Sequence, residues 1–117
     1  MTQDRDRPRG PLTPATFHIL LSLMHDVAHG YHIKRMVEER TNGAVRLGAG
    51  TLYAGIRRMR QDGLIEETDP PRDVDVEPGA RWRFYAITPA GRDALEAEIA
   101  RLESDLEAAR AVVRRPA

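Results

Sequence analysis

Apolar residues along this chain follow three successive patterns: a helical period, a short strand-like alternation, and a heptad. Phe17, Leu20, Leu21 and Met24 recur at helical spacing behind Thr13-Pro14, a hydroxyl N-cap followed by proline at the first helical position. They predict a first helix ending near His25. Ile19 and Leu23 make it apolar around much of its circumference, more than one small core requires, so a second buried face against another subunit is a natural use for it. A second helix is predicted from His29-Gly30 to about Thr41. Tyr31, Ile33, Met36 and Val37 supply its apolar side, Lys34, Arg35 and Arg40 its wet side, and Asn42-Gly43 a left-handed stop. A third helix follows a glycine-containing connection (Gly43, Gly48, Gly50). Leu52, Ile56 and Met59 share one of its faces, and Gly63 lies just past its end.

Beyond Gly63 the period changes. Leu64 to Thr68 reads as a strand, residues 69–80 as a loop with three prolines and four acids, and Arg81 to Ile87 as the returning strand. Trp82 and Phe84 fall on one side of that strand, Tyr85 and Ile87 on the other. One pair should face the core; the other is left for helix four, a partner or a ligand pocket. Thr88-Pro89 then repeats the Thr-Pro start, and Leu95, Ile99, Leu102, Leu106, Ala109 and Val113 recur at spacings of 4, 3, 4, 3 and 4. That is a heptad seam. A homodimer interface is the economical use for it, and folding back on helix one is the intramolecular alternative.

Three helices, a glycine-containing connection before the last, and a two-stranded hairpin predict a mainly α fold with a small β-hairpin (α+β). This is a winged helix-turn-helix with a C-terminal dimerisation helix. Residues 1–12 are charged and proline-rich and read as a flexible arm, 13–88 as the DNA-binding domain, and 89–117 as the coiled-coil-like helix. At about 100° per residue, the side of the third helix opposite its apolar face carries Ala54, Arg57, Arg58 and Gln61, flanked by Thr51 and Tyr53. Such a surface suits a DNA major groove.

Composition adds a distribution to that picture. The net charge is zero over 117 residues, which argues against indiscriminate polyanion binding. Yet from Lys34 to Arg60 there are seven basic residues (the others being Arg35, Arg40, Arg46, Arg57 and Arg58) against Glu38 and Glu39. From Asp93 to Glu107 there are six acids against Arg101 alone. A local basic face on a neutral chain is enough for groove binding. Arginine outnumbers lysine 17 to 1, which favours bidentate contacts to phosphate or guanine, although a biased genome composition would give the same ratio. Arg60 lies nearer the buried edge and is expected to pair with a carboxylate.

Other chemistries find little support. The chain has no cysteine, so disulfides and thiolate metal sites are excluded. His25, His29 and His32 are spaced for a ligand set, but they straddle two helices with no carboxylate to complete it, and no metal is expected. Serine is scarce (Ser22, Ser104), and no phosphate-cradling glycine loop follows a strand. No enzyme activity and no cofactor are expected. Gly48-Ala49-Gly50 is a weak helix-start anion site, better suited to a DNA phosphate than to a nucleotide. No apolar run reaches membrane-spanning length and none reads as a signal peptide, so a cytoplasmic protein with no membrane partner is expected.

The segments His29-Gly30-Tyr31-His32-Ile33, Gly50-Thr51-Leu52-Tyr53, Arg58-Met59, Asp62-Gly63-Leu64-Ile65 and Phe84-Tyr85-Ala86-Ile87-Thr88-Pro89-Ala90-Gly91 resemble, in order and spacing, the PadR family of transcriptional regulators. The resemblance spans roughly Leu12 to Leu106. It implies a homodimeric winged helix-turn-helix protein that binds double-stranded DNA at a palindromic operator and is usually a repressor. In many members a phenolic or drug-like effector, bound near the dimer interface, releases the protein from DNA. The short C-terminal part is similar to the smaller subtype, with a single terminal helix. Thr51, Tyr53 and Arg57 take the places where the family's recognition helix meets DNA, and Arg81 and Arg83 fall in its basic stretch of the wing. Together with Ala54, Arg58 and Lys34 they form the expected DNA-binding set, in which Arg57 or Arg58 reads guanine while Tyr53, Thr51, Lys34, Arg81 and Arg83 hold phosphates.

Two features depart from the family pattern. Gly48-Ala49 replaces a Ser/Thr-Pro helix start, and the wing tip carries Asp69, Asp73, Asp75 and Glu77. Carboxylates are repelled by phosphates, so the wing is expected to touch DNA only at its base, through Arg81 and Arg83, with Arg72 as a further candidate. A winged-helix module that docks proteins and not DNA is the competing function.

Overall fold

The computed structural model describes residues 10–72 and 83–116. Its elements run α1 (Pro14–His25), β1 (Ala28–His29), α2 (Gly30–Arg40), α3 (Ala49–Gln61), β2 (Ile65–Thr68), β3 (Phe84–Ile87) and α4 (Pro89–Val113). The fold is mainly helical with a small antiparallel sheet, a winged helix-turn-helix followed by a long C-terminal helix.

Local chemistry accounts for most of the boundaries. Thr13 accepts a hydrogen bond from the Thr16 amide at 3.1 Å and Thr88 from the Gly91 amide at 3.0 Å. Each is followed by a proline, whose missing N–H is no loss in a first helical turn. At the start of α2 an imidazole takes the same role: His29 Nδ1 accepts from the His32 amide at 3.2 Å. Helix α3 starts at Gly48 with no side-chain cap. Asn42 and Gly43 end the second helical segment with φ of 52° and 79°, and the Gly43 amide returns to the Glu38 carbonyl at 2.8 Å. Gly63, at φ 75°, plays the same part after α3 and turns the chain directly into β2.

The sheet has three strands in the order β1-β3-β2, where the sequence pattern predicts two. Ala28 and His29 pair with Tyr85 and Phe84 along the other edge of β3. Two residues are too few to display an alternating pattern, so β1 reads in sequence as a mere connection. On the second edge Ile65 faces Ile87 and Glu67 faces Tyr85.

The core is built from one face of each helix and the inner side of the sheet. It contains Ile19, Leu20 and Leu23 of α1, Ile33 and Val37 of α2, Leu52, Ile56 and Met59 of α3, and Leu64, Ile65 and Tyr85. Burying each such aliphatic side chain contributes about 1.5–3 kcal/mol. Phe84 is buried as well, with its ring edge-on to His29 at 5.3 Å.

The first turns of α4 join the same core, which changes two expectations. Leu95, expected at the dimer interface, is buried in the protomer's own core with Ala94, because α4 begins by packing on α1 and the sheet. The exposed part of the seam therefore starts at Ile99. Leu12, expected in the arm, packs against the core, and its amide donates to Glu98 Oε1 at 3.1 Å. Glu98 also accepts from Arg101, which in turn reaches Asp105 at 2.9 Å. The Arg101 guanidinium, with the Leu12 amide, holds the Glu98 carboxyl below the usual carboxylate range despite the opposing effect of burial.

Close approach of backbones fixes the corner where α4 leaves the sheet. The Thr88 hydroxyl donates to the Gly63 carbonyl at 2.6 Å and the Thr88 amide to the Leu64 carbonyl at 3.0 Å. A Cβ on Gly91 would collide with the Leu64 carbonyl oxygen. Only glycine lets the helix come this near.

Candidate nucleic-acid interface

Helix α3 is oriented by its apolar face. Leu52, Ile56 and Met59 are each sunk in the core, so the opposite face, with Thr51, Ala54, Arg57, Arg58 and Gln61, is turned to solvent. Tyr53, 49% exposed, lies at the edge of that face. Its ring rests against Gly30: a Cβ there would come within 2.9 Å of the Tyr53 ring and hydroxyl. The glycine that opens α2 thus seats a tyrosine of α3, linking two segments that are well separated in the chain.

Charge pairing separates the basic residues of this region into two groups. Lys34 pairs with Glu38 at 3.8 Å and Arg35 with Glu39 at 3.4 Å, both one helical turn apart on α2. Arg60 and Arg83 both approach Glu67 Oε1, at 3.8 and 3.7 Å, so Arg60 does find the carboxylate expected of it. Arg40 donates to the His18 carbonyl at 3.0 Å and to Ser22 Oγ at 3.2 Å, fastening α2 to α1. Burial, reinforced by the Arg40 charge, lowers the pKa of His18. Among the described residues, Arg57 and Arg58 are the two cations of α2 and α3 with no ion pair or hydrogen bond. They project freely from the face that carries Thr51, Tyr53 and Ala54.

The structure thus brings together Thr51, Tyr53, Ala54, Arg57 and Arg58. Lys34 lies on a different helix and is engaged by Glu38, while Arg83 stands just before β3. Arg81 and Trp82, with the wing-tip acids Asp73, Asp75 and Glu77, lie outside the described residues. His25 ends α1, whereas His29 and His32 adjoin each other across the start of α2, their rings 5.9 Å apart. No group of three or more His, Cys, Asp or Glu among the described residues could hold a metal ion. No described helix is long and apolar enough to cross a membrane.

Beside α3 lies a groove that no sequence pattern foretells. It has a volume of about 600 Å³ and lies between α2, α3 and the sheet, with Tyr31, Tyr53, Arg57, Arg60, Arg83 and Tyr85 among its walls. Tyr85 is nearly buried, and its hydroxyl pKa is raised by that burial and by the Glu67 carboxylate, with Arg60 and Arg83 pulling the other way. These residues come from separate elements, and no local sequence signal joins them.

A helical trio, a hairpin and a long closing helix define a winged helix-turn-helix protein. The sequence profile of the transcriptional regulator PadR-like family matches residues 19–97, and the chain belongs to that family. It is 34% identical over 86 residues to a transcriptional regulator of Mycobacterium tuberculosis, an alignment covering 73% of this chain and 76% of the relative. A PadR family transcription regulator from Clostridium difficile superposes with a TM-score of 0.71 at 24% identity, covering 86% of this chain and 99% of the other. A regulator from Clostridium thermocellum gives 0.70 at 21% identity, covering 86% and 90%. These two structures share the fold. The chain spans 20% and 64% of the length of two further curated relatives, from Streptomyces fradiae and Lysinibacillus sphaericus.

Proposed function

We propose that the chain is a sequence-specific DNA-binding regulator that works as a homodimer, represses transcription, and is released from its operator by a small-molecule effector. The observation that carries the DNA reading is the unpaired state of Arg57 and Arg58 on the outer face of α3, amid cations that are otherwise engaged. Free guanidiniums on a helix that can enter a major groove are suited to bidentate pairing with guanine. Thr51, Tyr53 and, at the wing base, Arg83 would hold phosphates and fix register. The seam from Ile99 through Leu102, Leu106, Ala109 and Val113 would join two copies, presenting two α3 helices to half-sites about one turn, 34–36 Å, apart. Repression and effector release are carried over from the family resemblance.

The test is a fluorescence titration with the protein's own promoter DNA at several salt concentrations. Wild type should prefer one sequence and show a marked salt slope. Replacing Arg57 and Arg58 by alanine should weaken specific binding by roughly 1–3 kcal/mol for each guanine that the variant no longer reads. Binding with neither sequence preference nor salt dependence would overturn the reading and favour a winged helix that docks proteins.

A further inference from the structure

Strand β2 carries two adjacent, exposed glutamates with different surroundings. Successive residues of a strand point to opposite faces of the sheet. Glu66 stands opposite Ala86 and makes no ion pair to the described residues. Glu67 stands opposite Tyr85, and its Oε1 lies 3.8 Å from Arg60 Nη1 of α3 and 3.7 Å from Arg83 Nη1, just before β3. Neither arginine pairs with another acid among the described residues. One carboxylate thus ties the last turn of α3, strand β2 and the base of the wing. Two guanidiniums share its single negative charge, and Arg57, one turn before Arg60, lines the same groove as both. Glu67 is an acid set into a basic edge. Its side chain is 43% exposed, so burial does not call for a charge there, and exposed pairs of this kind add little to stability. Their main effect is on whatever approaches the edge.

We propose that Glu67 is a built-in restraint on DNA affinity, withholding one of the two arginine charges at the junction of α3 and the wing from the phosphate backbone. The proposal rests on the DNA reading given above. Phosphate and carboxylate compete for the same guanidiniums, so a phosphate contact made by Arg60 or Arg83 weakens an existing pair. The released carboxylate then faces a polyanion that repels it. Phosphate contacts carry no sequence information, so the restraint weakens binding to every sequence alike. Recognition falls more heavily on Arg57 and Arg58, the cations of α3 that no acid engages.

Fluorescence titrations of the full chain test this, with promoter DNA and a scrambled duplex of equal length, each over a range of salt. Glu67→Gln should bind both duplexes about three- to tenfold more tightly than wild type at about 0.1 M salt. The plot of log affinity against log salt should steepen by about one, and the preference for the promoter should stay within about twofold. Glu66→Gln removes the same formal charge from the other face of the strand and should change affinity by less than about twofold. Arg83→Gln should cost about twofold in the wild-type background and at least about fivefold beside Glu67→Gln. Loss of structure would produce none of this pattern. The proposal is overturned if Glu67→Gln, folded by circular dichroism, binds no more tightly than wild type. It is equally overturned if Glu66→Gln tightens binding as much, or if Arg83→Gln costs the same in both backgrounds. A wild type that binds with neither sequence preference nor salt dependence sinks the DNA reading and this proposal together. A wild type that prefers its promoter beside an inert Glu67→Gln sinks this proposal alone.

Discussion

Helix α4 serves two regions of the molecule with one repeating pattern. From Pro89 to Glu98 it is part of the winged-helix core: Gly91 lies against the Leu64 backbone, Ala94 and Leu95 are buried, and Glu98 holds the Leu12 amide. From Ile99 onward the same heptad faces solvent, with exposure rising from 38% at Ile99 to 50% at Leu106 and 81% at Val113. Periodicity tells which residues share a face; it does not tell which surface they meet. A seam that begins inside one chain and ends outside it would join folding to the proposed assembly. The N-terminal turns anchor the helix, and the remaining turns extend an apolar stripe beyond the protomer.

Substitutions along α4 should separate the two regions. The largest effect is expected from Gly91→Ala, whose new methyl would meet the Leu64 carbonyl carbon and oxygen, atoms that cannot rotate away. A destabilisation of at least about 3 kcal/mol in denaturant unfolding is expected, the upper end of overpacking costs. Leu95→Ala leaves a cavity in the same core and should cost about 2–5 kcal/mol by the same measurement. Leu102→Asp combined with Leu106→Asp should act on the other region. In sedimentation the variant should fall to protomer mass while its circular dichroism keeps the signature of a folded domain. A wild-type chain already monomeric at micromolar concentration would break the contrast between the halves.

The smallest effect is expected from pH, and it should touch only the inner region. Burial and then Arg40 lower the His18 pKa below its ordinary 6.5. A His with a depressed folded-state pKa takes up its proton more readily when unfolded. Its contribution to stability is therefore complete above 6.5 and declines as pH falls through the folded-state value. Thermal unfolding followed from about pH 7.5 downward should show a shallow loss below about 6.5, and His18→Gln should reduce it, leaving the share of His29, whose pKa is lowered by burial and then by His32. Dissociation of the proposed dimer, whose seam lies on the outer turns, should not follow the same curve.

How far the sequence can be read depends on how local each determinant is. All four helices are legible, because a cap or a period lies within a few residues: Thr-Pro starts α1 and α4, Asn42-Gly43 ends α2 and Gly63 ends α3. The face of α3 is legible for the same reason, and Arg57 and Arg58 project where the period puts them. Strand β1 is not, since its identity comes only from pairing with β3. Nor is the burial of Leu95, which fits an intramolecular and an intermolecular seam equally well. The seating of Tyr53 on Gly30 and the meeting of Arg60, Arg83 and Glu67 are products of the tertiary fold, and no spacing within the chain encodes them. Adjacent Phe84 and Tyr85 are both buried although they alternate across the central strand: Tyr85 belongs to the main core, and Phe84 has its ring edge-on to His29 of the neighbouring strand.

The corner at Thr88 and Gly91 has a geometric consequence for a pair of such protomers. It joins the turn that ends α3 to the start of α4 through backbone carbonyls, with no flexible side chain between them except one short hydroxyl. In the proposed dimer the two α3 helices are the points of a pair of calipers and these corners are its locked joints. The opening between the points is set at the joints, whereas what each point reads is set by the residues it carries. Such a protein could come to recognise new bases by exchanging residues on α3 while keeping the same distance between half-sites.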